Sequence, residues 1–537
     1  MKQYILLPLL LVFSFSGMAQ SKMGKYKKTA PQVKLGQGVV EGVLEPSGIV
    51  SFKGIPYAQP PVNELRWREP QPPLPWQGLL KADKFGNKPM QKPIFSDMNF
   101  RSGAMSEDCL YLNIWTPAKK PSANLPVLIY FHGGGYIAGD GSEYRYDGES
   151  MAKMGIVTIT VNYRLGIFGF FAHPELTKES PNHASGNYGL LDQNAALLWV
   201  KKNIAAFGGD PNKITIAGES AGSISVSAHM ASPLSKNLIA GAIGQSGAMI
   251  NPTQAPISFE DAQNNGISFA TAIKAHSVQE LRDIPAEKLL TEAYNPSNTF
   301  PVKVTIDNYF LKQSPQEVFA VGNQSDVPLL AGWTSAEVPY MSFMQGEYPN
   351  PVNYEKKVRQ IYGDKANVVI KLYPGTTENE VIASATALAS DRFIVYSTWK
   401  WAELHRQATK QPVYVYTFSK PRPVTPPAPD SMKQNTMPQP MAGAAHASDI
   451  EYALGNLATN KVYAWTADDF NTSLQMQTYF ANFIKTGNPN GKPLPQWPAR
   501  AAGADMNIME INAPSKVVKE RHRERYLFLE KYFSQNK

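Results

Sequence analysis

Five continuous apolar runs, rich in β-branched residues, constrain the fold of this chain more than any other feature. A strand with one face in water alternates polar and apolar residues, whereas a strand buried on both faces is an unbroken apolar run. Helix-compatible stretches such as Leu190–Ala206 lie between several of these runs. Strands that alternate with helices predict an open, mostly parallel α/β sheet. The runs are Val127–Phe131, Ile156–Tyr163, Lys213–Gly218, Val327–Trp333 and Val413–Phe418.

The N-terminal part of the chain differs from this central pattern. Residues 33–57 alternate apolar and polar side chains around several glycines, which predicts a small antiparallel hairpin. Residues 1–19 combine Lys2, an apolar run and a small-residue end at Ala19, the pattern of a secretory signal peptide. We therefore expect cleavage near Ala19, a single domain over residues 20–537, and a secreted or periplasmic protein. No other stretch is long and apolar enough to suggest a membrane span.

The charge distribution does not indicate a nucleic-acid partner. The chain has 52 Lys and Arg against 44 Asp and Glu, a formal charge of +8, and the excess lies at the two ends. Nucleic-acid binding requires a basic stripe across a folded face, and none is visible in the middle of the sequence. We interpret the terminal charges as solvated surface. Nothing in the sequence indicates an oligomeric state.

The sharpest local motif is Gly218-Glu219-Ser220-Ala221-Gly222, which lies between an apolar run and the helix-compatible residues 223–230. In a nucleophile elbow, a serine occupies a strained strand-to-helix turn, and small residues two positions away on either side prevent a clash. The alternative is a glycine-rich turn with an inert serine. The strand before the motif and the helix after it favour the elbow.

A serine nucleophile requires a base, a group that orients the base, and hydrogen-bond donors for the developing oxyanion. The donors are expected in His132-Gly133-Gly134-Gly135, which directly follows the run ending at Phe131. Glycines let the backbone approach a substrate closely and direct N–H groups at it. The alternative, a plain glycine turn, is disfavoured because the loop follows the correct strand.

The base should lie well downstream of Ser220. His446 is favoured by elimination, because it lies in a loop of small residues that can present a catalytic imidazole. The remaining candidates lie in helical or highly charged segments, or too close to the serine: His229, His276, His405 and His522.

The orienting carboxylate should follow a strand that lies between the serine and the histidine. Glu337 comes soon after the run that ends at Trp333, and we favour it, with Asp307 and Asp391 as alternatives. No set of His, Asp and Glu has metal-ligand spacing such as H-E-x-x-H, so we expect neither a metal nor a cofactor.

Together, these motifs resemble the type-B carboxylesterase and cholinesterase family of α/β-hydrolases across nearly the whole chain after the signal segment. The resemblance implies an α/β-hydrolase fold with a central, mostly parallel twisted sheet and helices on both faces. It also implies a serine carboxylesterase that acts on small-molecule esters through an acyl-enzyme. Further matching segments are Phe52–Ala58, Leu65–Trp67, Glu107–Asn113, Asn162–Arg164, Phe207–Pro211, Gln245–Gly247 and Gly487–Pro489.

By this resemblance, the nucleophile is Ser220, the acid is Glu337 and the base is His446. The surrounding positions would be backbone donors to the oxyanion at Gly134, Gly135 and Ala221, with Glu219 beside the triad and Ser246 near the histidine. Two alternatives stay open: a non-catalytic binding or adhesion protein on the same fold, and amide hydrolysis by the same triad. The first is disfavoured because such relatives usually lose the serine or the histidine.

The chain departs from the family at its lone cysteine, Cys109. Family members usually join this position to an upstream cysteine, so we expect a buried free thiol and an untethered loop over Gly86–Ser106. In cholinesterases the same loop carries the choline-binding tryptophan. Here it contains Phe95 and Phe100 but no tryptophan, which disfavours choline esters.

Overall fold

The computed structural model describes residues 30–423, 443–500 and 506–535, so the predicted signal segment lies outside the described residues. Two sheets are present in this part of the chain. The strands are β1 Gln32–Leu35, β2 Gly38–Glu41, β3 Val43–Leu44, β4 Val50–Pro56, β5 Leu79–Lys81, β6 Tyr111–Thr116, β7 Leu125–Phe131, β8 Val157–Val161, β9 Gly209–Glu219, β10 Gly241–Gln245, β11 Leu329–Thr334, β12 Val413–Phe418, β13 Asn507–Ile511 and β14 Lys516–Lys519.

The α-helices connect these strands or follow them. They are α1 Glu149–Lys153, α2 Gly166–Phe170, α3 Pro174–Glu179, α4 Tyr188–Asn203, α5 Ala221–Ala231, α6 Phe259–Ala272, α7 Val278–Asp283, α8 Ala286–Ala293, α9 Pro315–Ala320, α10 Met341–Met344, α11 Pro351–Tyr362, α12 Ala366–Leu372, α13 Glu378–Ser390, α14 Tyr396–Ala408, α15 Ile450–Ala453, α16 Ala467–Thr486 and α17 Arg523–Gln535. A π-helical turn, Asp391–Val395, joins α13 to α14.

The main sheet has eleven strands in the order β14-β13-β12-β11-β10-β9-β7-β8-β6-β4-β3. Its central strands, from β8 through β13, pair in parallel. The edges pair antiparallel, with β14 at one side and β6, β4 and β3 at the other. A small second sheet contains the antiparallel hairpin β1–β2, extended by β5. The predicted mostly parallel sheet and N-terminal hairpin are therefore confirmed.

Helices cover both faces of the main sheet. In β7, Val127 and Ile129 belong to a buried cluster that includes apolar side chains of α4, α5 and α14. The alternate residues Leu128 and Tyr130 belong to a different cluster, which includes side chains of α1 and α16. Because successive side chains of a strand point to opposite faces, β7 is buried on both sides. This explains its unbroken apolar run in the sequence.

The strand β10 lies in the middle of the sheet although its sequence, Gly241-Ala-Ile-Gly-Gln245, is not an apolar run. A Cβ at Gly244 would overlap the ring of Trp401 on α14. The small residues therefore make room for a large neighbour, and this close packing replaces the side-chain pattern by which the other strands are recognised.

Arg101 holds the loop Gly86–Ser106 against the body of the protein. Its side chain donates to the backbone carbonyl of Ser142 at 2.7 Å and pairs with Asp147 at 2.5 Å. Cys109 is buried and free, as predicted. The loop therefore lacks a disulfide tether, as expected, and charged and polar contacts hold it instead.

Two further contacts hold the same loop. The buried guanidinium of Arg145 lies 3.1 Å from Asp97. The Gln91 side chain donates to the Gly139 carbonyl at 2.8 Å and accepts from the Gly139 N–H at 2.9 Å.

Among the helices of the described residues, none is long and apolar enough to cross a membrane.

Candidate active site

Ser220 lies in the turn between β9 and α5. Its backbone has φ +55° and ψ −122°, a strained conformation for a residue with a side chain. A Cβ at Gly222 would overlap the carbonyl oxygen of Phe131, and a Cβ at Gly218 would overlap the backbone of Gly222. The two flanking glycines are therefore required because β7, β9 and α5 approach one another closely at this turn.

The glycine loop after β7 packs directly against this turn. A Cβ on Gly133 would lie 2.7 Å from Glu219 Oε2 and 3.2 Å from Ser220 Cβ. Gly134 has φ +106°, and its carbonyl accepts the N–H groups of Ile137 and Ala138, each at 3.0 Å. The loop is thus fixed in a left-handed conformation beside Ser220.

Three backbone N–H groups near Ser220 are available to a ligand. Among the hydrogen bonds of the described residues, none uses the N–H of Gly134 or Gly135 as donor. Ala221 is the first residue of α5, where a helix leaves its N–H groups without an intrahelical acceptor. Three unpaired donors next to one hydroxyl are what a developing oxyanion requires.

Glu337 is buried beyond the end of β11, and three groups surround its carboxylate. Its Oε1 accepts the N–H of Thr334 at 2.7 Å and the hydroxyl of Ser246 at 2.6 Å. Its Oε2 lies 2.6 Å from Nδ1 of His446. Ser246, predicted near the histidine, thus makes its hydrogen bond to the acid.

Backbone contacts also join the histidine loop to the acid loop. The N–H of His446 donates to the Glu337 carbonyl at 3.2 Å, and the N–H of Ala336 donates to the Ala444 carbonyl at 2.9 Å. Arg422 pairs with Glu451 and donates to the carbonyl of Ala447. The imidazole is therefore positioned through both its side chain and its backbone.

The other imidazole nitrogen of His446, Nε2, faces Glu219 and lies 3.2 Å from its Oε1. The hydroxyl of Ser220 makes no hydrogen bond within the part of the chain that the structure describes. In a ligand-free site, catalytic hydrogen bonds are often long and form only with substrate bound. Glu219 thus occupies the position next to Nε2 in this state.

The buried carboxylates change the proton affinity of the site. Burial raises the pKa of Glu219 above its ordinary value. Burial alone would lower the pKa of His446, but the charge of Glu219 and the hydrogen bond and charge of Glu337 outweigh it, so the pKa is raised. The carboxylates therefore favour the protonated imidazole.

The competing histidines and acids have other partners. His405 is buried with Nε2 2.8 Å from the Val327 carbonyl, and Asp307 accepts backbone N–H groups. The structure brings none of the competitors to Ser220 in the contacts of the described residues. His229 contacts Ser235 and Gln193, and Asp391 accepts the hydroxyl of Tyr373.

Two residues near His446 were not predicted. The ring of Phe393, in the π-helical turn, lies 5.3 Å from the imidazole in an edge-to-face arrangement. The buried Asp449, three residues after the histidine, accepts the Tyr416 hydroxyl at 2.7 Å and contributes to the raised pKa of His446. The spacing of Asp449 could have drawn attention to it, whereas nothing in the sequence marks Phe393.

Comparisons with known proteins identify the family of this chain. A model of the carboxylesterase family matches residues 29–529. Para-nitrobenzyl esterase of Bacillus subtilis is 34% identical over 86% of this chain and 91% of its own length. Fumonisin B1 esterase of Sphingopyxis macrogoltabida is 32% identical over 86% of this chain and 83% of its own. A solved structure of PNB esterase superposes with a TM-score of 0.77 at 30% identity, covering 93% of this chain and 99% of its own. The chain belongs to the carboxylesterase family.

Proposed function

We propose that this carboxylesterase hydrolyses carboxylic esters with Ser220 as nucleophile, His446 as base and Glu337 as the acid that orients the base. One observation carries the proposal: the imidazole of His446 is held at 2.6 Å by the buried Glu337, while its other nitrogen faces the residue adjacent to Ser220. A base that is oriented by a buried acid and lies beside the serine turn supports the assignment of a Ser-His-acid triad, which is recognised by geometry and role rather than by sequence position.

The reaction follows from these positions. As the ester binds, Nε2 of His446 turns from Glu219 to accept the proton of Ser220, whose oxygen attacks the carbonyl carbon. Glu337 stabilises the imidazolium, which then protonates the leaving alcohol. Water attacks the acyl-enzyme in the same way, so that the acid is released and Ser220 regains its proton.

The oxyanion is stabilised by the N–H groups of Gly134, Gly135 and Ala221. A donor of this kind is worth roughly 3 kcal/mol of transition-state stabilisation. The left-handed backbone of the glycine loop supports this role because it is fixed before substrate binds. No rearrangement of the loop is then needed during the reaction.

The proposal also extends to the alcohol and acyl groups of the ester substrate. The relatives act, by their names, on p-nitrobenzyl and fumonisin esters. An aryl ester, or an ester linked to a polysaccharide, would suit a protein exported through the signal segment at residues 1–19. Hydrolysis measured across acyl lengths, with aryl and sugar esters included, tests this: no preference for either class contradicts it.

The direct test is Ser220→Ala with a p-nitrophenyl butyrate assay. We expect kcat to fall by roughly 10⁴-fold or more with an unchanged far-UV circular dichroism spectrum. Ser223→Ala is the matched control, because that hydroxyl donates to the Gly247 carbonyl from the same helix. Turnover retained in Ser220→Ala would refute the assignment.

A fluorophosphonate label and an anilide substrate separate the alternatives. We expect the label on Ser220 in the wild-type protein and on no other serine. An unlabelled protein without turnover would indicate a non-catalytic relative. A p-nitroanilide cleaved faster than the matched ester would indicate an amidase.

A further inference from the structure

The side chain of Met98 lies against Gly134, one of the glycines whose N–H is proposed to hold the oxyanion. A Cβ on Gly134 would lie 3.1 Å from the methyl carbon of Met98. The two atoms that lie closer to that position belong to the carbonyl group of Ala138, in the same turn as Gly134. The contact of Met98 therefore comes from a different segment of the chain, the loop Gly86–Ser106.

Gly134 lies between two of the proposed donors. Its own N–H belongs to the peptide group before its Cα, and the N–H of Gly135 belongs to the peptide group after it. A glycine has no side chain to restrict rotation about its backbone bonds, and Gly134 has φ +106°. A neighbour that packs at this Cα therefore restricts both donors at once.

The carbonyl oxygens of the two donor peptides are already bound. The carbonyl of Gly133 lies 2.9 Å from Nδ1 of His132, and the carbonyl of Gly134 accepts two N–H groups of its own turn. In a trans peptide, the C=O and the N–H point in opposite directions. These bonds therefore hold the side of each peptide that is opposite the donor, while Met98 packs where the two peptides join.

Ion pairs on both sides of Met98 anchor its backbone. Asp97, directly before it, lies 3.1 Å from the guanidinium of the buried Arg145. Arg101, three residues after it, pairs with Asp147 at 2.5 Å. The half-buried Met98 side chain is thus presented to the glycine loop by an anchored segment.

The same loop also contacts the glycine loop through Gly139. The side chain of Gln91 is hydrogen-bonded to both the N–H and the carbonyl of Gly139. A Cβ on Gly139 would lie only 2.6 Å from the carbonyl oxygen of Gly133. Gly139 therefore packs on the first donor peptide, so that Gly86–Ser106 supports the donors at two positions.

We propose that Met98 is a positioning residue for ester hydrolysis, which holds the N–H groups of Gly134 and Gly135 in the geometry that binds the oxyanion. The loop Gly86–Ser106 supports Met98 in this role. The inference rests on the proposed function, because it assigns a part in the same reaction. Met98 gives no hydrogen bond to the oxyanion and acts through Gly134. Loss of its side chain leaves a gap beside this glycine, and the donors then bind the transition state less well.

A transition-state analogue measures the donors directly. When butyl trifluoromethyl ketone binds, Oγ of Ser220 bonds to the carbonyl carbon, the serine proton passes to His446, and the carbonyl electron pair becomes the oxyanion. Butyl methyl ketone has a similar size but forms no stable adduct. We expect Met98→Ala to weaken binding of the trifluoromethyl ketone about tenfold and to leave binding of the methyl ketone unchanged. Inhibition of p-nitrophenyl butyrate hydrolysis gives both affinities.

Hydrolysis of two esters separates positioning from substrate contact. In Met98→Ala, kcat/KM should fall by the same factor for p-nitrophenyl butyrate and for ethyl butyrate, because both transition states use the same donors. Met98→Leu, which fills the gap, should remain within about twofold of the wild-type protein. Equal weakening of both ketones, or different factors for the two esters, would mean that Met98 contacts the substrate itself and would overturn the proposal.

Met154→Ala is the matched control for Met98→Ala. Met154 is also half-buried, but it follows α1 and packs against the cluster that includes side chains of α16. We expect its removal to leave the affinity for the trifluoromethyl ketone unchanged. A tenfold loss in Met154→Ala as well would show that any gap in the core has this effect, which would overturn the specific role of Met98.

Asp97→Asn tests the support of Met98 without opening a gap, because this side chain is exposed. The affinity for the trifluoromethyl ketone should fall about threefold, within the strength of a surface ion pair. In the Met98→Ala background, the same change should give no further loss. Asp364→Asn, at another exposed aspartate, is the control. If Met98→Ala does not fold, Asp97→Asn decides the test, and an unchanged affinity there would overturn the proposal.

Failure of this inference and failure of the proposed function give different results. A wild-type protein that neither hydrolyses the esters nor binds the trifluoromethyl ketone would contradict the proposed function. Wild-type hydrolysis together with unchanged ketone affinity in a folded Met98→Ala variant, checked by its melting temperature, would contradict the role of Met98 alone.

Discussion

The two halves of the candidate site are built in different ways. The serine half, with Ser220 and the glycine loop, comes from two turns that each follow a strand directly, and its donors are left unpaired. The acid half, with Glu337 and His446, is saturated with contacts: the carboxylate has three hydrogen-bond partners, and the imidazole lies between two carboxylates.

The two halves should therefore respond differently to mutation. The serine half depends on the absence of side chains, so its defects should be steric and should affect folding as well as activity. The acid half depends on buried charges that fix one another, so its defects should change rate and pH dependence while the fold persists. Variants in each half can therefore confirm or break the distinction.

The largest effect is expected for Glu337→Gln. The amide cannot stabilise the imidazolium and favours the wrong tautomer, so kcat should fall on the order of 10³- to 10⁴-fold with an unchanged melting temperature. Ester hydrolysis and thermal unfolding are measured together. Glu347→Gln, on the surface, is the control. A loss below tenfold would mean that Glu337 is not the orienting acid.

Gly222→Ala should break the serine half by shape. The added methyl overlaps the Phe131 carbonyl, so Ser220 must shift. We expect a loss of roughly 100-fold in kcat/KM together with a lower melting temperature. Gly36→Ala is the control, because no atom lies within 4 Å of its added Cβ. Wild-type stability and activity in Gly222→Ala would contradict the steric account.

Glu219→Gln should remove a charge from the site while leaving the shape of the side chain nearly unchanged. The base must be neutral to accept the serine proton, so kcat/KM rises with pH through the pKa of His446. The carboxylate of Glu219 contributes to raising that pKa. Its removal should therefore move the acid limb of the pH profile to lower pH by roughly one unit. At pH values below the midpoints of both profiles, kcat/KM as a fraction of its alkaline plateau should then be about tenfold higher in Glu219→Gln than in the wild-type protein. A limb that stays in place, or moves to higher pH, would show that Glu219 does not charge the imidazole.

Ser246→Ala should have the smallest effect of this series. It removes one of the two other donors to Glu337 and leaves the Thr334 N–H in place. We expect kcat to fall about fivefold, the equivalent of one hydrogen bond, with KM unchanged. Ser246→Thr, which keeps the hydroxyl, should restore the rate. A change in KM alone would assign Ser246 to substrate binding.

The sequence predicted the serine half better than the acid half because its requirements are local. Gly218 and Gly222 leave a readable pattern, since both lie within two residues of Ser220 in the same turn. Glu337 was only favoured over Asp307 and Asp391 until the family resemblance was considered, because more than a hundred residues separate it from Ser220 and from His446. Nothing in the sequence showed that Glu219 would face Nε2.

Some of the fold was unreadable for a similar reason. The strand β10 is recognisable only once Trp401 of α14 is placed against Gly244. The contacts of Arg101 with Ser142 and Asp147 could not be inferred either, because hydrogen bonds between distant side chains leave no periodic signal. Contacts between residues that are far apart in the sequence are therefore what the structure adds.

The manner in which Gly86–Ser106 is held has a consequence for handling the protein. Loops fastened by a disulfide are loosened by reducing agents, whereas the ion pairs of Arg101 and Arg145 are weakened by salt. Thiol reagents should then be harmless additives during purification, and the electrolyte content of the buffer becomes the variable to control.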